Sequence, residues 1–141
     1  MEHPERTRIT VETTVAVSPA LAWNYWTEPR HITQWNQASD DWHTPRAEND
    51  LRAGGSFTSR MESKDGKYGF DFGGVYDAVE QNHLIAYTLG DGRKVTVLFE
   101  PVSGGTKVTE TFEAESENSA ERQREGWQAI MDSYKRYVEK Q

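Results

Sequence analysis

Polar and apolar residues alternate from Ile9 to Val17: Ile9, Val11, Thr13, Val15 and Val17 on one side, Arg8, Thr10, Glu12 and Thr14 on the other. A period of two predicts a strand with one buried face. Ser18-Pro19 then sets a capping residue before a proline suited to the first helical turn, and Ala20 to Trp26 supplies a short helix ending before Pro29. From Arg30 to Asp50 no period is clear, so the expectation is a further helical turn and an irregular lid carrying Trp35 and Trp42. Beyond Leu51, turn signals at Gly54-Gly55, Asp65-Gly66, Asn82, Asp91-Gly92 and Gly104-Gly105 separate five aromatic and β-branched runs. These runs are Ser56 to Glu62, Gly69 to Glu80, Leu84 to Leu89, Lys94 to Glu100 and Thr106 to Glu113, an antiparallel meander. Asn118 with Glu121 has the spacing of a capping box, after which Trp127, Ile130, Met131, Tyr134, Tyr137 and Val138 form the stripe of one long helix.

Helices segregated from a continuous meander define an α+β fold, with a curved antiparallel sheet wrapped around the long C-terminal helix and short helices after the first strand. The pattern contains no repeat or linker, so residues 1–141 are expected to form a single domain with a flexible head over 1–7. If the sheet curls around the helix, the two apolar faces meet across a space that side chains need not fill. A cavity is the natural consequence.

Composition sharpens this picture in two ways. The 141 residues include five Trp, six Tyr and five Phe, although hydrophobic residues make up only 35% of the chain, so rings dominate the interior. Such an interior either packs densely or encloses a pocket for a flat apolar molecule. The charge balance, 23 acidic against 16 basic residues, disfavours nucleic acid and anionic membranes as partners. With no cysteine, thiol nucleophiles, zinc thiolates and disulfides are excluded. The lack of a long apolar run argues against membrane insertion, and the polar start against a signal peptide, so the expected location is cytoplasmic.

Several segments carry a resemblance: Ser18-Pro19, Ala22-Trp23, Trp26-Thr27-Glu28-Pro29, Gln34-Trp35, Gly54-Gly55-Ser56-Phe57, Phe72-Gly73-Gly74-Val75-Tyr76, Gly105 to Thr109 and Gly126-Trp127. In this order and spacing the chain resembles the activator-of-heat-shock-ATPase-like branch of the START-related, polyketide-cyclase and birch-allergen (SRPBCC) superfamily. The resemblance implies a helix-grip fold with a ligand cavity between sheet and long helix, and functions that range from lipid carriage to aromatic cyclisation to co-chaperone action. Two departures bear on pocket shape: Asn36-Gln37 follows Trp35 where the family often has a second tryptophan, and Gln81-Asn82-His83-Leu84 replaces a common proline-containing turn.

Among chemical groups, Glu110 is the most informative, because alternation from Thr106 to Phe112 puts it on the face of Val108 and Phe112. A carboxyl among apolar neighbours has a raised pKa and can exchange a proton with a ligand, which makes Glu110 the candidate catalytic group. The competing readings are an exposed register or a carboxylate satisfied by Arg or Tyr. His31, Asp40, Asp41 and His43 lie close in sequence, yet no regular element sets them on one face, so no metal or other cofactor is expected. Solvated loop positions suit them better, and His3 and His83 are expected at the surface. The expected ligand-binding set is Trp26, Trp35, Phe57, Phe72, Tyr76, Tyr87, Phe99, Glu110, Phe112, Trp127, Met131 and Tyr134, with Trp127, Met131 and Tyr134 preferred because they share the helix face turned to the sheet. Gly73-Gly74 suggests a bulge or sharp bend, and Gly126, inside the last helix, a close contact with another backbone or a ligand. Glu113, Glu115, Glu117, Glu121 and Glu125 make an acidic region around the start of that helix.

The leading function is binding of a small apolar or aromatic molecule. The alternatives are a cyclase, dehydratase or hydrolase using the same cavity, and a chaperone-interacting module; a protein partner and a homodimer stay open.

Overall fold

The computed structural model describes residues 7–141, so the expected head and His3 lie outside the described residues except for Thr7. The strands are β1 (Arg8–Val15), β2 (Trp42–Asn49), β3 (Ser56–Ser63), β4 (Gly69–Glu80), β5 (Leu84–Leu89), β6 (Lys94–Val102) and β7 (Gly105–Glu113), and the helices are α1 (Pro19–Thr27), α2 (Pro29–Trp35) and α3 (Ala120–Glu139). All seven strands join one antiparallel sheet in the order β1-β7-β6-β5-β4-β3-β2. The first strand thus pairs with the last, and the remaining strands run outward as a meander. This is the expected α+β helix-grip architecture: the sheet curls as a half-barrel with α3 on its concave side.

Local chemistry accounts for the element boundaries. The Ser18 side chain accepts a hydrogen bond from the Leu21 amide, with Pro19 in the first turn of α1. Pro29 begins α2 directly after α1 ends, because proline lacks the N–H needed to continue the earlier helix. In β7 the burial alternates without interruption, from Thr106 through Val108 and Glu110 to Phe112. Val15, Val11 and Ile9 of β1 face the same side, and so do Val95, Val97 and Phe99 of β6.

Four local expectations need correction. The expected further helical turn is α2, but the stretch read as an irregular lid contains the edge strand β2, whose polar sequence Trp-His-Thr-Pro-Arg-Ala-Glu-Asn hides its strand character because only Thr44 is fully buried. The cap of α3 is Ser119, which accepts from the Arg122 amide, rather than Asn118. The bulge in β4 falls between Tyr76 and Ala78, beyond the diglycine. Gly73 and Gly74 are needed for a different reason: a Cβ at either position would run into the carbonyl oxygen of Phe57 or Thr88 on the neighbouring strands. Finally, a Cβ at Gly126 would meet nothing within 4 Å, so no close approach of another backbone explains that glycine.

Candidate functional site

The space between sheet and α3 divides in two. On the side of β1, β7 and β6 it is filled: Met131, Tyr134 and Val138 of α3 are buried against Val11, Val15, Val108 and Phe99, with Ala22 and Trp23 of α1 closing the end. Tyr134 donates its hydroxyl to the Ala22 carbonyl at 2.7 Å, and its ring meets Trp26 and Trp35 edge-on at 4.9 and 5.1 Å. Here the rings are structural, and the Trp35 indole likewise donates to the Tyr25 carbonyl at 2.9 Å.

On the side of β3, β4 and β5 the helix and sheet stand apart, leaving a cavity of about 370 Å³. Its apolar wall is made by Phe57 and Met61 of β3, Phe72 and Tyr76 of β4, Ile85 and Tyr87 of β5, Trp26 and Trp35 from the short helices, and Trp127 and Ile130 of α3. Phe57 meets Tyr87 edge-on at 4.7 Å and tilts against Tyr76 at 5.1 Å. Phe72 and Trp127 face each other at 6.1 Å between sheet and helix. The Trp127 ring is fixed from behind, stacked on Phe112 at 3.8 Å with 10° between planes.

Of the twelve expected ligand-binding residues, Trp26, Trp35, Phe57, Phe72, Tyr76, Tyr87, Glu110 and Trp127 are gathered on the cavity wall. Phe99, Phe112, Met131 and Tyr134 are not: they are completely or almost completely buried in the filled half or behind the wall. The reason lies in the long axis of α3. One apolar stripe serves two environments, so its N-terminal part, with Trp127 and Ile130, borders the cavity, whereas its C-terminal part packs on α1 and the core.

Polar residues share the lining with the rings. Glu110 is 6% exposed, and burial pushes its carboxyl up to about 8, with no charged or hydrogen-bonding partner to oppose the shift. Burial also raises the Tyr87 phenol well above its usual range, and the nearby Glu110 carboxyl adds to this. The Tyr76 phenol is raised to about 12 by burial, partly offset by Asn49. Thr27, Asn36, Asn49, Ser59, Arg93, Glu115, Asn118 and Gln123 also line the cavity. Arg93 is held by Asp91 at 2.8 Å.

Sequence reasoning missed Gln123 and Asn49, two positioning residues. The Gln123 side chain accepts from the Glu115 amide at 2.9 Å and donates to the Asn118 carbonyl at 2.8 Å, clasping the segment before α3 to the helix. Asn49 donates to the Thr27 carbonyl at 2.7 Å and so joins β2 to α1. Amides on polar helix or edge-strand positions carry no periodic signal that marks them.

The candidate metal group is not assembled, and no cluster of three or more His, Cys, Asp or Glu residues with metal-binding geometry occurs among the described residues. His31 lies on α2, partly buried rather than in a solvated loop; its Nδ1 pairs with the Tyr137 hydroxyl at 2.7 Å, and desolvation lowers its pKa. His83 is exposed in the turn before β5. No helix among the described residues is long and apolar enough to cross a membrane.

A curled antiparallel sheet gripping one long helix, with an aromatic cavity between them, defines a helix-grip protein. Residues 16–139 match the family model described as activator of Hsp90 ATPase homolog 1-like protein, and the chain belongs to that family. The solution structure of an AHSA1-like protein from Aeromonas hydrophila is 42% identical, with a TM-score of 0.90 over 95% of this chain and 93% of that one. A solution structure from Cytophaga hutchinsonii is 53% identical, with a TM-score of 0.82 over 94% and 92% of the two chains. The crystal structure of a Nitrosomonas europaea protein, at 19% identity and a TM-score of 0.79 over 94% of each chain, shares the fold. No curated protein matches this chain.

Proposed function

We propose that this protein binds a small, flat, hydrophobic or aromatic molecule in the cavity between β3–β5 and the N-terminal half of α3, acting as one cytoplasmic domain. The observation that carries this reading is the contrast inside one interface: ring-rich packing is complete on one side of α3 and open on the other. Apolar pockets of a few hundred cubic ångströms with few polar groups are suited to small ligands. The family description alone favours a chaperone-directed role, and two of the acidic residues near α3 already serve the fold, since Glu113 and Glu115 accept from the Lys94 and Asn118 amides.

The test is native mass spectrometry of the protein after exposure to a metabolite extract, compared with Ser59→Trp, which fills the cavity from β3. A bound mass on the wild type that is absent from the folded variant is the expected result. Equal capture by both proteins, or none by the wild type, would overturn the reading.

A further inference from the structure

A second, smaller cavity of about 200 Å³ lies between the α2–β2 connection and the C-terminal turns of α3. Trp35 stands between it and the aromatic cavity: the ring lines the larger space, and the carbonyl accepts the Ser133 hydroxyl at 2.7 Å on the wall of the smaller one. The fold also uses two other hydroxyls of this wall, because Tyr137 pairs with His31 Nδ1 at 2.7 Å and Ser39 donates to Asp41. The side chains of Gln34 on α2, Gln37 and Asp40 on the connection, and Arg136 and Lys140 at the end of α3 line the same space and have no hydrogen-bond or ion-pair partner among the described residues.

The charges belong to two different walls. Arg136 and Lys140 stand one helical turn apart on α3, whereas Asp40 comes from the connection and forms an ion pair with neither. The carbonyl end of a helix favours nearby cations, which accounts for that pair. It does not account for a carboxylate and two carboxamides that line the same space without partners. We propose that this pocket binds a free polar α-amino acid: its carboxylate lies between the Arg136 guanidinium and the Lys140 ammonium, its ammonium meets Asp40, and its side chain exchanges hydrogen bonds with the Gln34 and Gln37 carboxamides. A ligand carrying only an acid group meets repulsion from Asp40, and one carrying only an amine meets repulsion from Arg136 and Lys140, whereas a zwitterion complements both walls.

The size agrees. A space of about 200 Å³ is smaller than the roughly 300–1,000 Å³ usual for drug-sized ligands and suits a single small metabolite. Arg136 is the anchor, since its planar fork takes a carboxylate through two parallel bonds, and Lys140 adds a point charge. Arg136, Lys140 and Asp40 are exposed, and solvated ion pairs contribute modestly, so the expected affinity is of about millimolar order. The same exposure lets each be replaced without opening the core. Binding here is independent of what the aromatic cavity holds.

The experiment is an NMR titration of the full chain with L-glutamine and two analogues, glutaramic acid, which lacks the ammonium, and 4-aminobutanamide, which lacks the carboxylate. The expected result is saturable shifts with L-glutamine at the backbone amides of residues 34–40 and 133–140, and affinity about tenfold weaker for each analogue. Arg136→Gln should weaken L-glutamine by a similar factor and leave 4-aminobutanamide unchanged; Asp40→Asn should weaken L-glutamine and leave glutaramic acid unchanged. Equal binding of L-glutamine and glutaramic acid overturns the proposal in favour of a plain carboxylate site, and equal binding of L-glutamine and 4-aminobutanamide in favour of a plain amine site. Shifts that do not saturate, or that are the same in both variants as in the wild type, overturn the site itself.

Discussion

The two halves of the sheet–helix interface are made of similar residues and do opposite things. Under the C-terminal half of α3, Tyr134, Met131 and Val138 close on β1, β7 and α1, and the phenol is spent on a backbone carbonyl. Under the N-terminal half, Trp127 looks across at Phe72, and the Tyr87 and Glu110 side chains end in open space. The difference teaches that aromatic content alone does not decide between core and pocket. What decides it is whether the sheet lies against the helix, as at β1, or leaves a cavity, as at β3, β4 and β5.

The largest expected contrast concerns Glu110. Between its ordinary value of 4.5 and the folded-state value of about 8, the folded protein keeps a proton that the unfolded chain has released, so stability falls as pH rises across this window. The full loss is on the order of 5 kcal/mol above pH 8, and it is absent below pH 4.5. Denaturant midpoints measured from pH 4 to 9 should show this slope in the wild type and its removal in Glu110→Gln; parallel profiles would mean that the carboxyl is solvated in the open half.

Phe99→Ala, in the filled half, should destabilise by roughly 3–5 kcal/mol, because a fully buried ring leaves a void that its neighbours cannot close. Phe72→Ala, on the cavity wall, should cost clearly less, since part of that ring already borders empty space. Equal losses in urea unfolding would erase the distinction between the halves. Tyr134→Phe removes the buried bond to the Ala22 carbonyl, which keeps its partner within α1, a loss of about 1 kcal/mol, whereas Tyr87→Phe should be neutral or slightly stabilising without ligand. The smallest change is Gly126→Ala, which meets nothing within 4 Å and should raise stability by up to about 1 kcal/mol in thermal unfolding.

Much of the architecture was legible along the chain. The limits of β4 and β5 follow from the alternation and turn residues that bound them, and β7 shows its inward face so clearly that the burial of Glu110 could be read from Val108 and Phe112. The edge strand β2 was not legible, because one edge of the sheet can be built from polar residues whose only shared property is backbone pairing with β3. Nor could the chain distinguish Trp127 from Tyr134. Both lie on the same helical stripe, and periodicity reports which face is buried without reporting what lies opposite.

By itself, then, the amino-acid order determined every element but β2, the α+β class, the inward carboxyl and the family resemblance, because period, caps and turns are local and each needs only a few neighbouring residues. Tertiary structure alone decided which rings are core and which are wall, and that Glu110 and Tyr87 line one cavity. Those outcomes depend on how far a seven-stranded sheet coils between its two edges, a distance accumulated over every strand pair and written in no single segment.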